Sequence, residues 1–295
     1  MELFIKLMIS GLFTGSIYCL IAIGFVVVYK STKVVNFSQG MLVVVGSYLV
    51  WTMLSISVLP AWIAVILGFV LTMILSLLLE RVFMRPLVGQ PIMASVMVTL
   101  ALMTGLKGFV LTLWGPIARH FPVDVIPREE YNFGQFSISG DKAWTLISAL
   151  ALIVVLYLFF RFTRLGLGMK VTSEDHSIAQ VVGLKLKNVF AASWAITGLV
   201  AAIGGLFLGT IISIHPGLEE IGLKALAAML LGGLESIPGA IIGGLIIGLA
   251  ETLAGQYLSF IFGPSVGEVF PYMLIIIVLM VRPYGLFGWR HIERV

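Results

Sequence analysis

Two ionisable residues interrupt otherwise apolar segments and are the first candidates for chemistry in this sequence. Lys107 lies in MTGLKGFVL, and Glu251 ends PGAIIGGLIIGLAE. A charge within such a segment is costly unless it faces protein or water, so its presence indicates a functional site. Each residue lies about 10 Å from the end of its segment, at about 1.5 Å of helical rise per residue. We predict that the two side chains pair or line an outward vestibule; the alternative is that both extend to the lipid headgroups.

A second polar group interrupts the apolar sequence KVVNFSQGML. Asn36, Ser38 and Gln39 follow Lys33 within it, and Gly40 comes next. A chain break at this point frees backbone groups that side-chain amides and hydroxyls can satisfy, and a glycine allows a turn or the close approach of a neighbour. The segment therefore predicts either a satisfied polar helix start or a discontinuous helix that borders a translocation path.

Residues for other kinds of chemistry are missing from the sequence. There is no G-x-x-x-x-G-K-[ST] phosphate loop, and the four histidines lack the spacing of a metal site. The single cysteine excludes an internal disulfide. The cations are scattered at the ends of apolar runs, which does not fit a nucleic-acid-binding surface. We expect a non-catalytic protein that binds no metal, no cofactor and no nucleic acid.

The elements that must position these residues are apolar helices. Of the 295 residues 60% are hydrophobic and 11% are charged, and the mean hydropathy is +1.11. Apolar runs, most of them without a charge, match the bilayer's hydrocarbon thickness of about 30 Å. They cover residues 7–29, 34–79 (two spans divided by Pro60), 92–114, 143–160, 189–214, 221–233 and 237–258, and a last run ends at Arg282. The sequence predicts an all-α polytopic membrane protein with about eight or nine transmembrane or re-entrant helices, in one domain over residues 1–295.

The positions of the cations indicate how this chain is oriented. If successive spans alternate, one side holds Lys30, Lys33, Arg81, Arg85, Arg161, Arg164, Lys170, Lys185, Lys187, Arg282, Arg290 and Arg294. The other side holds Lys6, Arg119, Arg128 and Lys142 with most of the acids, Glu219 and Glu220 among them. The first side is predicted to be cytoplasmic, so the N-terminus is extracytoplasmic and the C-terminus cytoplasmic. An odd number of crossings follows, nine if residues 221–233 cross.

Two hydrophilic segments connect the predicted helices. Residues 115–142 form an extracytoplasmic loop, with a short hairpin at YNFGQFSISG. Residues 161–188 are cytoplasmic, and their middle resembles a helix. Ser173 is the predicted N-cap, with Glu174 and Asp175 in the first turn, and Gly183 is the predicted C-terminal stop.

Glycines recur at four-residue spacing in the apolar segments, which puts each pair on one helix face and allows close packing. The pairs are Gly205 and Gly209, Gly239 and Gly243, and Gly244 and Gly248. We favour helix packing over a direct role in a substrate path. Residues 11–50 and 198–248 also share a plan, a glycine-rich span, a polar break and a second apolar helix, which is typical of the inverted repeats of transporters.

Three ordered motifs resemble the permease subunits of branched-chain amino acid ABC importers, and the similarity spans essentially the whole chain. The first is GLFTGSIYCLIAIGFVVVYKSTKVVNFSQGMLVVVGSYL, residues 11–49. The second is ERVFMRPLVGQP, residues 80–91, and the third is GLKALAAMLLGGLESIPGAIIGGLIIGLAE, residues 222–251. NFSQG stands where the family has Asn-Phe-Ala-His-Gly or Asn-Phe-Ala-Gln-Gly. The resemblance implies an ABC-importer permease fold in the bacterial inner membrane.

The family resemblance also implies partners and site residues. The partners are a second permease subunit, expected to be a different and longer homologue, two ATPase subunits that use ATP, and an extracytoplasmic substrate-binding protein. RLGLGMKVTSEDHSIAQVVGLKLKN resembles the family's ATPase-coupling loop, with Lys170-Val171 in place of Arg-Ala. Its coupling residues would be Glu174, Asp175, Ala179 and Gly183, and the substrate path would include Tyr18, Asn36, Phe37, Ser38, Gln39, Lys107 and Glu251.

The substrate implied by the resemblance is an amino acid, branched-chain first. Permeases of the same family for urea, short amides or aromatic acids are the alternative. An ion-coupled secondary transporter is a more distant competitor, because it would carry several intramembrane carboxylates. Glu251 is the only acid well inside a predicted span.

Overall fold

The computed structural model describes residues 2–56, 58–127, 129–133, 136–174, 179, 181 and 183–288. Its α-helices are α1 (Glu2–Thr32), α2 (Gln39–Leu54), α3 (Ala61–Leu79), α4 (Ile92–Trp114), α5 (Gly140–Phe162), α6 (Arg164–Glu174), α7 (Leu186–Ile211), α8 (Glu219–Gly232), α9 (Ile237–Tyr257), α10 (Ser259–Phe262) and α11 (Val266–Val281). Within this described part, the nine helices of 14 residues or more correspond one to one to the nine predicted apolar segments.

Six of these helices are long and apolar enough to cross a membrane, and α2 and α11 are shorter apolar helices. The protein is therefore a multi-pass membrane protein with an all-α architecture. α1 is the central helix and packs against α9, α7, α8 and α5. α4 and α5 lie at the periphery, where few of their residues are buried and many apolar side chains are exposed. This distribution fits a bilayer, because lipid accepts apolar surface that water would not.

Short segments between the helices match the sequence predictions in two places. Pro60 is the N-cap of α3 and ends the turn after α2. In the loop before α5, β1 (Glu130–Phe133) and β2 (Phe136–Ser139) pair antiparallel, with Tyr131 opposite Ile138. The predicted hairpin is confirmed, and its two turn residues, 134 and 135, lie outside the described residues.

The prediction that Ser173 begins a helix is wrong. α6 begins nine residues earlier, at Arg164, because the Thr163 hydroxyl accepts the Gly166 N–H at 3.0 Å and caps the helix. Ser173 lies in the last turn of α6, and Asp175 is outside the described residues.

Gly183 has the predicted role of helix stop. Its φ of 85° is left-handed, and the following Leu184 N–H donates to the Ala179 carbonyl at 3.0 Å. This is the hydrogen bond of a Schellman C-cap, whose left-handed position favours glycine.

The shared plan of the two halves is present in three dimensions. A long helix, a short non-helical connection and a shorter helix make up α1 and α2, and the same order is found in α7 and α8. α1 and α7 run antiparallel, since Thr197 of α7 donates to the Gly24 carbonyl at 3.2 Å while Gly204 lies against Ile21. The first helices of the two units are thus antiparallel, as an inverted repeat requires, and the repeat itself stays a prediction.

Candidate functional site

The break between α1 and α2 is built from local backbone and side-chain interactions. α1 ends because Lys33 adopts a φ of 57°, and the Lys33 N–H donates to the Tyr29 carbonyl at 2.8 Å. Beyond it, the Asn36 Oδ1 accepts both the N–H of Ser38 at 3.2 Å and its hydroxyl at 2.6 Å. The chain then enters α2 at Gln39 with no side-chain cap on the helix. This geometry is a break between two helices without a side-chain cap, and that it borders a translocation path stays a prediction.

The start of α8 lies directly against the start of α2. A Cβ placed on Gly40 would lie 2.8 Å from the Glu219 carbonyl oxygen and 3.1 Å from the Gly222 Cα. Only a pair of glycines allows the two backbones to approach this closely. Each helix N-terminus carries unsatisfied N–H groups and a partial positive charge. Two such ends therefore meet inside the protein.

Residues at and just before this junction carry unpartnered polar atoms, and the Gln39 amide lies against Gly24 of α1. The Asn36 Nδ2, the Gln39 Nε2 and Oε1, and the Glu219 Oε2 are buried and find no hydrogen-bond partner among the described residues. Asn36 and Gln39 are fully buried. Leaving a buried polar group unmatched costs about 1–3 kcal/mol, so such groups call for a functional explanation.

The chemistry of the junction suits a zwitterion. Amide N–H groups and helix N-termini stabilise a carboxylate, and the Glu219 carboxylate suits an ammonium group. We call this cluster of Asn36, Ser38, Gln39 and Glu219 the helix junction.

Two separate ion pairs in the described chain involve residues of α8. Lys107 of α4 pairs with Glu219, and Lys224 of α8 pairs with Glu251 of α9 at 2.6 Å. Tyr18 of α1 donates its hydroxyl to the same Glu251 carboxylate. The predicted direct pairing of Lys107 with Glu251 is therefore wrong.

Lys107 and Glu251 do not pair because α8 supplies each of them with its own partner. Glu219 pairs with Lys107, and Lys224 pairs with Glu251. Glu219 and Lys224 are five residues apart and so project from different sides of α8. From the sequence, Glu219 was expected at the outer flank, and no role was predicted for Lys224. A lone lysine within GLKALAAML was the signal that could have identified it.

The predicted path residues lie in two places, at the helix junction and around Glu251. Asn36, Ser38 and Gln39 lie at the helix junction, and Lys107 joins it through Glu219. Tyr18, only 4% exposed, belongs with Glu251 and Lys224. Phe37 is half-buried between Asn36 and Ser38 in the α1–α2 connection.

The glycines singled out in the sequence lie at close approaches of backbone. Gly239 and Gly243 face α8, where an added Cβ would collide with backbone atoms of Gly232 and Ala228. Gly244 and Gly248 face α1 in the same way, at Cys19 and Gly15, and Gly205 faces Val43 and Ser47 of α2. Gly209 differs, since it lies against Phe121 and Ile214 in loop segments.

The predicted coupling segment is attached firmly to the membrane helices. Gly166 of α6 packs against the backbone of Phe159 and Phe160, and the fully buried Met169 packs with Val189 and Phe190 of α7. α6 is therefore packed against both α5 and α7. Its Leu165 and Leu167 are 46% and 57% exposed. Ala179 is fully buried and Gly183 exposed, while the side chain of Glu174 is outside the described set.

Comparison with known proteins places this geometry in context. The family model described as "Branched-chain amino acid transport system / permease component" matches residues 7–279. The chain is 31% identical to the high-affinity branched-chain amino acid transport system permease protein LivH of Salmonella typhimurium, over 99% of this chain and 98% of that protein. It is 30% identical to LivH of Escherichia coli K12 over the same shares. It is 29% identical to BraD of Pseudomonas aeruginosa, again over 99% and 98%.

Proposed function

The chain belongs to the family of branched-chain amino acid transport system permease components. We propose that it is the membrane subunit of an ATP-driven importer of branched-chain amino acids. In this role it forms part of the translocation path and is not itself catalytic. The sequence has no phosphate loop, so ATP hydrolysis falls to separate subunits.

The observation that carries this proposal is the helix junction. Broken helices whose N-termini point at an anionic substrate group are a recurring feature of transporter sites. Here two such ends meet at Gly40 and Gly222, beside buried amides without partners in the described chain. A passing amino acid would present its carboxylate to the amides of Asn36 and Gln39 and its ammonium to Glu219. Urea carries neither charge, so this arrangement favours an amino acid over the uncharged alternatives.

Four kinds of partner complete the proposed importer. They are a second, different and longer permease subunit, two ATPases that use ATP, a binding protein on the extracytoplasmic side, and the lipid bilayer. The ATPase contact is assigned to α6 and the segment up to Gly183, with Glu174, Asp175, Ala179 and Gly183 as its residues. The exposed Leu165 and Leu167 support this assignment, because they give α6 an apolar surface on which a partner can dock.

The proposed location is the bacterial inner membrane, with the N-terminus outside and the C-terminus in the cytoplasm. The excess of Lys and Arg on one side supports this orientation. Opposite tilting of the two inverted units would expose the helix junction alternately to each side.

The direct test is Asn36→Leu, with uptake of radiolabelled leucine measured in proteoliposomes or cells. We expect uptake to fall by about tenfold or more, as for the loss of one to two hydrogen bonds to a charged group, while membrane abundance is unchanged. The matched control is Thr104→Leu, at an α4 hydroxyl that bonds only within its own helix. Equal losses of uptake and abundance would show that Asn36 is structural and would contradict the path assignment.

The energy source of transport distinguishes the proposed importer from an ion-coupled transporter. Uptake by the assembled importer should stop when ATP hydrolysis is blocked and should survive collapse of the proton and sodium gradients. The reverse result would favour an ion-coupled transporter.

A further inference from the structure

A cavity of about 630 Å³ lies between α5 and α9, away from the helix junction. Both helices pack against α1 and leave a trough between them. Its walls are apolar, from Ile153 and Val154 on α5 and from Ile237 and Ile241 on α9. Val154 is 55% exposed, so the trough opens toward the surroundings of the helices. No step of the proposed transport mechanism uses this cavity.

Cations gather at one end of this trough. Lys30 is at the end of α1, Arg161 at the end of α5 and Lys170 in α6, and all three line the cavity. Glu235 is the only carboxylate among the cavity's lining residues in the described chain, and it pairs with Lys33. The mouth of the trough therefore carries an excess of positive charge.

Two of these cations have no carboxylate partner within ion-pair distance among the described residues. The Lys30 ammonium is half-buried and lies 4.9 Å from the centre of the Phe160 ring. Arg161 donates to the Tyr157 hydroxyl and lies over the rings of Tyr157 and Phe162. A guanidinium has five N–H groups, so Arg161 retains donors for an anion. Both cations line the same cavity, so both are available to an anion bound at its mouth.

We propose that this trough binds an anionic phospholipid, with the phosphate at Lys30 and Arg161 and an acyl chain along α5 and α9. Basic pockets between transmembrane helices are known to bind acidic lipid headgroups. The combination of a cationic mouth and apolar walls fits a lipid better than a soluble anion, which would leave the walls uncovered. Tyr157 lies at the boundary between the two, where amphipathic aromatic rings are typical. The inference requires only that these helices cross a bilayer and does not depend on the transported substrate.

The test is native mass spectrometry of the full-length protein from nanodiscs of phosphatidylcholine with either phosphatidylglycerol or phosphatidylethanolamine. We expect phosphatidylglycerol to be retained and phosphatidylethanolamine to be lost. The variant K30Q/R161Q should bind phosphatidylglycerol about 30-fold more weakly, roughly fivefold for each cation. The control K185Q/K187Q removes the same charge from residues that do not line the cavity and should change binding by less than about twofold.

Several outcomes would overturn the proposal. One is equal retention of phosphatidylglycerol by wild type and K30Q/R161Q; another is equal retention of the two lipids, which would make the trough merely apolar. Displacement by glycerol 3-phosphate alone would assign the mouth to a soluble phosphate. Absence of the lipid when the partner permease is present would mean that the subunit covers the trough. If K30Q/R161Q does not fold, the charge-preserving K30R/R161K is used, and it should retain the lipid.

Discussion

At the scale of single residues, Glu251 shows how a buried charge is accommodated in this protein. Its carboxylate accepts from Tyr18 and pairs with Lys224, and the two charged side chains are only 17% and 15% exposed. A buried pair contributes little beyond its own desolvation, but removing one partner leaves an uncompensated charge. Loss of one partner is therefore expected to destabilise the protein more than loss of both.

We predict that Lys224→Met destabilises the protein by about 3 kcal/mol, because Glu251 loses its counter-charge. The double variant Lys224→Met/Glu251→Gln should recover part of this loss, since the carboxylate charge is removed as well. Thermal unfolding of each variant in detergent measures both the destabilisation and its recovery. The control Lys187→Met changes an exposed lysine and should have little effect. A double variant as unstable as the sum of its single variants would contradict the coupling.

At the scale of elements, the contact between α2 and α8 depends on glycine. Gly40→Ala would place a Cβ 2.8 Å from the Glu219 carbonyl oxygen and 3.1 Å from the Gly222 Cα, both backbone atoms that cannot rotate away. We expect a loss of about 1–3 kcal/mol, the usual penalty of overpacking, and a lower uptake of substrate because the helix junction is forced apart.

Gly105→Ala on α4 is the matched control for this substitution. Its Cβ would meet nothing within 4 Å. Because alanine favours helix over glycine by about 1 kcal/mol, this variant should be neutral or slightly more stable. Thermal unfolding midpoints and leucine uptake separate the two outcomes, and equal behaviour of the two variants would refute the packing argument.

At the scale of the whole molecule, the orientation can be tested with introduced cysteines. The native Cys19 is buried, so it gives a low background for labelling. Val123→Cys in the loop before β1 should react with a membrane-impermeant maleimide from outside intact cells. Leu167→Cys on α6 should react only after the membrane is opened. Both positions are about half exposed, at 49% and 57%.

The same labels test the ATPase contact. Leu167→Cys should become protected when the ATPase subunits assemble, because α6 is proposed to dock on them, whereas Val123→Cys should stay reactive. Labelling of Leu167→Cys in intact cells would reverse the proposed orientation. Unchanged labelling of this cysteine after assembly would exclude α6 from the interface.

Most of the helical architecture can be read from local features of the amino-acid sequence. Nine apolar segments correspond to nine helices, the hairpin and the stop at Gly183 are present, and the break after Lys33 was visible as a polar interruption. These features follow from local quantities, namely the transfer of apolar segments into lipid and the conformations allowed to single residues. The start of α6 was misplaced because Ser173 and Thr163 are both acceptable N-caps by residue type.

Which charges and which helix ends come into contact depends on the three-dimensional packing of the helices. Lys107 pairs with Glu219, which is 112 residues away in sequence, and Tyr18 donates to Glu251, which is 233 residues away. The meeting of α2 with α8 at Gly40 and Gly222 was likewise not readable from spacing. Side-chain partners of this kind depend on how the helices pack around α1. That packing is set by the summed contacts of the whole chain. Hydropathy, in contrast, is a property of each segment alone.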